Sequence, residues 1–196
     1  AVQKYEESGL AALAHELIDG LGESREVDLV AQFTSRFPYL VISRLLGLPR
    51  DREEDFHRWA LALLRFRDDP AEAAIAAGEL TAFLAPIVEA RRAQPRDDVI
   101  SGLCEARVEG RQLSDEEIYS HVRLLFPTGG ETTHGSLGNL LSALLRDEAA
   151  WAELGRHPER IEATVEEALR WETPIAVLPR MSASEPVEFY GVEIPA

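Results

Sequence analysis

The segment Ser114-Asp115-Glu116-Glu117 and, further on, Pro127-Thr128-Gly129-Gly130-Glu131-Thr132-Thr133 decide how the rest of the chain is read. The first is a capping box, a Ser hydroxyl at the helix start with a carboxylate three residues on. Ile118, Val122, Leu125 and Phe126 follow at helical spacing, as do Leu137, Leu140, Leu141, Leu144 and Leu145 beyond the second motif. The spacing predicts one long helix over about 115–146 with apolar flanks and a weak middle. An interior Pro costs about 3 kcal/mol and each interior Gly about 1 kcal/mol relative to Ala, so Pro127, Gly129 and Gly130 together cost on the order of 5 kcal/mol. The threonine hydroxyls can also bond back to carbonyls one turn earlier and bend the helix. The expectation is a helix distorted for a purpose, with a carboxyl (Glu131) and a hydroxyl (Thr132) beside glycines that allow another molecule to approach. The alternative is plain: Gly-Gly beside Pro marks the end of one helix and the start of another.

A second motif, Glu167-Ala168-Leu169-Arg170, places an acid and a base on one face of a helix over about 158–171. Taken in order, Gly129-Gly130-Glu131-Thr132-Thr133, Glu167-x-x-Arg170-Trp171, Pro174, Pro179-Arg180 and Gly191-x-x-Ile194-Pro195 resemble the cytochrome P450 superfamily, the haem-thiolate monooxygenases, in their soluble bacterial type. The resemblance implies a mainly α, P450-like helical bundle with a small β appendage at its C-terminal end. It also implies that residues 1–196 form a single partial domain. Thr128 stands where the family has Ala or Gly, and Pro127 precedes it; both bear on the width of the groove that receives oxygen.

What the resemblance implies for individual residues is specific. Glu131 and Thr132 match an acid and alcohol pair that delivers protons for dioxygen chemistry. Gly129 and Gly130 match positions where the helix opens beside the haem. Glu167 and Arg170 match a buried structural pair, and Arg180 a contact to a haem propionate, for which a guanidinium is suited. Ile175, Ala176 and Val177 match a strand lining the substrate cavity, and Leu125 and Phe126 are further candidates to face it; core packing is the rival account of all five. The implied cofactor is haem, the substrate an apolar small molecule, and the electron donor ferredoxin-like. The second hypothesis is a non-catalytic helical binding domain derived from such an enzyme.

The remainder of the chain supplies context. Its 35 acidic and 20 basic residues leave a net charge of −15, which argues against nucleic-acid binding. With no secretory signal and no apolar run read as long enough to span a bilayer, a cytoplasmic protein is expected. The five histidines lie apart; His134, beside the threonines, is the one worth following. The single cysteine, Cys104, lies on an ordinary apolar helical face and reads as a buried small hydrophobe, leaving no metal ligand within this chain. The family's Gly-rich loop bearing the iron-ligating Cys is expected beyond Ala196, and an N-terminal portion before Ala1. Apolar surface normally covered by those parts is expected to be exposed.

Amphipathic helices are also predicted over 4–21, over 27–48 with Pro38 interrupting, over 51–66 and over 70–92. The last two, joined by Arg67-Asp68-Asp69-Pro70, match a lid over the substrate cavity, with an ordinary helical hairpin as the alternative. A short helix from Pro95, a turn or hairpin at 108–113, a helix over 147–156 and short strands after Pro174 complete the layout.

Overall fold

The computed structural model describes residues 9–23, 25–177 and 185–195. In chain order the helices are α1 (Leu10–Asp19), α2 (Phe37–Leu46), α3 (Glu53–Leu64), α4 (Pro70–Ala93), α5 (Val99–Glu105), α6 (Asp115–Leu145), α7 (Glu148–Arg156) and α8 (Ile161–Trp171). A π-helical turn, Val30–Thr34, precedes α2, and Pro38 sits in the first turn of α2, where its missing N–H costs nothing. Two antiparallel hairpins, β1–β2 (Arg107–Val108, Arg111–Gln112) and β3–β4 (Val187–Phe189, Val192–Ile194), turn through Glu109-Gly110 and Tyr190-Gly191. All four turn residues have positive φ, the requirement of the tight hairpin turn whose twist matches its strands. Ile175, Ala176 and Val177, expected in a strand, lie in irregular chain.

The starts and stops have local causes. Ser114 Oγ accepts from the Glu117 N–H, and the Glu117 carboxylate accepts from the Ser114 N–H at 2.8 Å. Asp69, Asp98 and Asp147 cap α4, α5 and α7 in the same sense.

α6 runs unbroken through Pro127, which corrects the expectation of a distorted middle. Thr128 donates to Leu124 O at 2.6 Å, Thr132 to Thr128 O at 2.8 Å, Thr133 to Gly129 O at 3.1 Å and Ser136 to Thr132 O at 2.9 Å. The weak residues are carried by packing. Ile118, Val122 and Phe126 are wholly buried, and three such side chains contribute on the order of 5 to 9 kcal/mol, enough to offset the local cost.

The main core joins these residues to Tyr39 and Leu46 of α2, Phe56 and Trp59 of α3, Leu80 and Leu84 of α4 and Ile100 of α5. α4 is long and apolar enough to cross a membrane, contrary to the expectation of no such run. Its line Ala73, Ala76, Leu80, Leu84 and Val88 is buried at helical spacing, the pattern of a core helix. A buried ion pair ties three elements at one corner: Arg91 Nε meets Asp98 Oδ2 at 2.6 Å, and Arg91 Nη2 donates to Gly47 O at 3.0 Å.

The core ends midway along α6. Its last buried residue is Gly130, and α7 and α8 contain none. Trp151, Ile161, Leu169 and Trp171 are exposed large apolar side chains on those helices, in keeping with the expected uncovered surface.

Candidate functional site

Successive residues of an α-helix diverge by about 100°, so Glu131 and Thr132 leave α6 on different sides. Glu131 turns toward α2, where its Oε2 accepts a hydrogen bond from the Tyr39 hydroxyl at 3.2 Å. Thr132 lies on a flank with Leu125, Thr128 and Gly129, the last three exposed and Thr132 itself half-buried. Its hydroxyl donates to Thr128 O, which leaves the oxygen lone pairs directed outward as acceptors. The acid and the alcohol are therefore adjacent in sequence but partnered separately.

The two glycines differ. A Cβ on Gly129 would make ordinary contact with Ile42 of α2 at 3.5 Å, so this position borders α2 and tolerates a small side chain. A Cβ on Gly130 would lie 2.2 Å from Tyr39 Cε1. Gly130 is thus a packing glycine on the core side, which corrects its expected place beside a cofactor. Phe126 is corrected likewise. It is wholly buried, with ring centroids 5.2 Å from Phe56 and 5.6 Å from Tyr39, and has no surface to offer a substrate.

Ile175 and Val177 are exposed, and two contacts hold their segment against α6. Asn139 Nδ2 donates to Glu172 O at 3.0 Å, and Pro174 Cβ lies 3.0 Å from where a side chain on Gly135 would begin. Gly135 is three residues beyond Thr132, close to the same flank. Sequence reasoning missed Tyr39, Gly135 and Asn139; only Gly135, a further glycine in the helix, left a signal.

Glu167 and Arg170 form a bidentate pair at 2.6 and 2.7 Å, with side chains 61% and 70% exposed. The expected burial of this pair is corrected: no element among the described residues covers that face of α8. Glu167 borders a cavity of about 650 Å³ between the end of α6 and α8, walled by Leu140, Leu144, Ala163 and Trp171. Arg180 lies outside the described residues. His134 is half-buried, and its Nδ1 is sealed from solvent without a hydrogen-bond partner among the described residues.

Among the described residues no group of three or more His, Cys, Asp or Glu could hold a metal ion. Cys104 is buried, its Sγ 4.0 Å from Val88 O, and burial pushes its thiol up from the ordinary range, the reverse of what a thiolate ligand needs. The haem implied by the sequence resemblance can be tested against this arrangement. The flank of Leu125, Thr128 and Thr132 beside Gly129 is accessible and carries hydroxyls, which fits the non-ligating face of a flat apolar group. None of the described residues fits the ligating face.

No family model matches the chain. A cytochrome P450 of Bacillus subtilis is 32% identical to it over 96% of its length. The chain belongs to the cytochrome P450 superfamily. The vitamin D(3) 25-hydroxylase of Pseudonocardia autotrophica is 35% identical over 97% of the chain. Among solved structures, CYP109E1 of Bacillus megaterium, in complex with testosterone, superposes with a TM-score of 0.83 at 32% identity over 97% of the chain. The chain spans about half the length of these relatives, 47% of each of the two sequences and 52% of the structure. The chain contains the helix that carries Glu131 and Thr132, and its Thr132 flank faces outward rather than into the core.

Proposed function

We propose that this chain works as part of a haem-thiolate monooxygenase of the cytoplasm, oxidising an apolar organic substrate with dioxygen and electrons from a ferredoxin-type donor. The observation that carries the reading is the outward flank of α6. A hydroxyl, Thr132, and a glycine, Gly129, share that flank, with the Glu131 carboxyl on the residue just before Thr132. Haem, when bound, supplies the redox chemistry of dioxygen. The chain's own residues then have three tasks. Thr132 holds a hydroxyl whose proton and lone pairs can both be offered to a partner on the flank, by exchanging its bond to Thr128 O. Glu131 holds a carboxyl on the preceding residue, from which a side-chain rotation or a water would carry a proton round to Thr132. Ile175 and Val177 present apolar surface on a segment tied to α6, suited to a substrate with few polar groups. The names of two relatives, one a vitamin D(3) hydroxylase and one bound to testosterone, support the apolar class.

Two measurements test the reading on the complete haem-loaded enzyme of which this chain is proposed to be part. Reduction under carbon monoxide should give the Soret band of thiolate-ligated haem; its absence removes the enzyme. Thr132→Ala should retain haem while lowering product formed per dioxygen consumed, and an unchanged ratio would show the hydroxyl to be misassigned.

A further inference from the structure

Tyr39 joins α2 to the acid of the central helix. Its ring lies against Gly130, and the space it occupies is the space a side chain there would need. Phe126 and His57 flank the ring, with centroids 5.6 and 5.1 Å away, and Tyr39 is 1% exposed. A ring so enclosed has one place to put its hydroxyl, and that place is 3.2 Å from Glu131 Oε2. Burial first, and the neighbouring Glu131 charge second, hold the phenol's ionisation well above its ordinary value, so it stays a donor wherever the protein is folded.

A glutamate beside a glycine has several side-chain rotamers within reach, and a fixed donor selects among them. We propose that Tyr39 is a positioning residue for Glu131: it holds the carboxyl on the α2 side of α6, in one defined place at the start of the proton path. The inference rests on the reading of Glu131 as the acid of the proton path. It explains why the core-side glycine is Gly130, since only a residue without a Cβ lets the phenol reach one residue further along the helix. It also assigns α2, whose Tyr39 lies on the core side of α6, a part in the chemistry of the Thr132 flank.

The test compares Tyr39→Phe, Glu131→Ala and the double variant in the haem-loaded protein. Phe keeps the ring on Gly130 and removes only the donor. Loss of a hydrogen bond to a charged group should lower the population of the held rotamer roughly tenfold, and product per dioxygen consumed should fall in Tyr39→Phe with haem content unchanged. Tyr39→Phe should have no further effect in the Glu131→Ala background, because the group it acts through is gone. A merely structural tyrosine would lower the ratio equally in both backgrounds, which would overturn the proposal. Denaturant unfolding of the same variants gives a second readout that does not depend on turnover. The unfolding constant of the double variant should lie roughly tenfold below the product of the single effects. Additive effects on unfolding overturn the proposal whatever the activities. If Glu131→Ala itself leaves the oxygen ratio unchanged, the acid role of Glu131 fails, and the unfolding cycle still decides whether Tyr39 holds it.

Discussion

Gly130→Ala sets two effects of known sign against each other. In a helix interior, Gly to Ala ordinarily stabilises by about 1 kcal/mol. At Gly130 the new methyl would lie 2.2, 2.5 and 2.6 Å from Cε1, Cζ and Cδ1 of Tyr39, where carbon atoms rest at about 3.5 to 4.0 Å. The ring cannot withdraw easily, because Phe126 and His57 pack against it and its hydroxyl is bound to Glu131. Forcing a methyl into a packed core costs about 1 to 3 kcal/mol, and displacing the ring also endangers a hydrogen bond of about 1 kcal/mol. The clash should outweigh the propensity gain, for a net loss of about 1 to 3 kcal/mol. In a chain of this size each kcal/mol moves the melting temperature by about 2 to 4 °C, so Gly130→Ala should melt roughly 2 to 12 °C lower. Gly138 lies on the same helix with nothing within 4 Å of the position a Cβ would take. Gly138→Ala should therefore gain about 1 kcal/mol and melt roughly 2 to 4 °C higher. Thermal unfolding followed by circular dichroism measures both. A Gly130→Ala protein that melts at or above the parent would refute the account of Gly130 as a packing glycine.

Two further outcomes follow from single contacts. Asp98→Asn leaves Arg91 buried without its counter-charge and should cost about 3 to 5 kcal/mol in denaturant unfolding at neutral pH. Burial opposes the charged form of Asp98, but the Ser101 amide and hydroxyl and the Arg91 guanidinium together outweigh it and leave its ionisation below the ordinary range. The stability it contributes is thus present above the unfolded value of about 3.9 and drains as pH falls below it; Asp98→Asn should lack that acid-sensitive portion. Ser114→Ala removes the hydroxyl cap of α6 and should cost about 1 kcal/mol, while Ser114→Asp should come close to the parent, both read from unfolding midpoints.

Much of the helical layout is legible in the sequence because its signals are local. The caps at Ser114, Asp69, Asp98 and Asp147, the Gly47 and Pro49 stop after α2 and the two Gly-containing hairpin turns each act within a few residues. The local cost of Pro127 and the glycines is legible in the sequence, but its outcome is not. The burial that offsets it comes from α2, α3 and α4, which no window along α6 contains.

The sequence by itself determined the periods and ends of the helices, and it placed an acid and an alcohol on consecutive residues of the longest one. Tertiary structure decided which way each faces. Glu131 belongs to Tyr39, 92 residues away, Phe126 to the aromatic core, and the Glu167–Arg170 pair to the surface. The reason is one of range: capping and helical spacing are set by neighbours within a turn or two, whereas a side chain's partner and its exposure depend on which distant element packs against it.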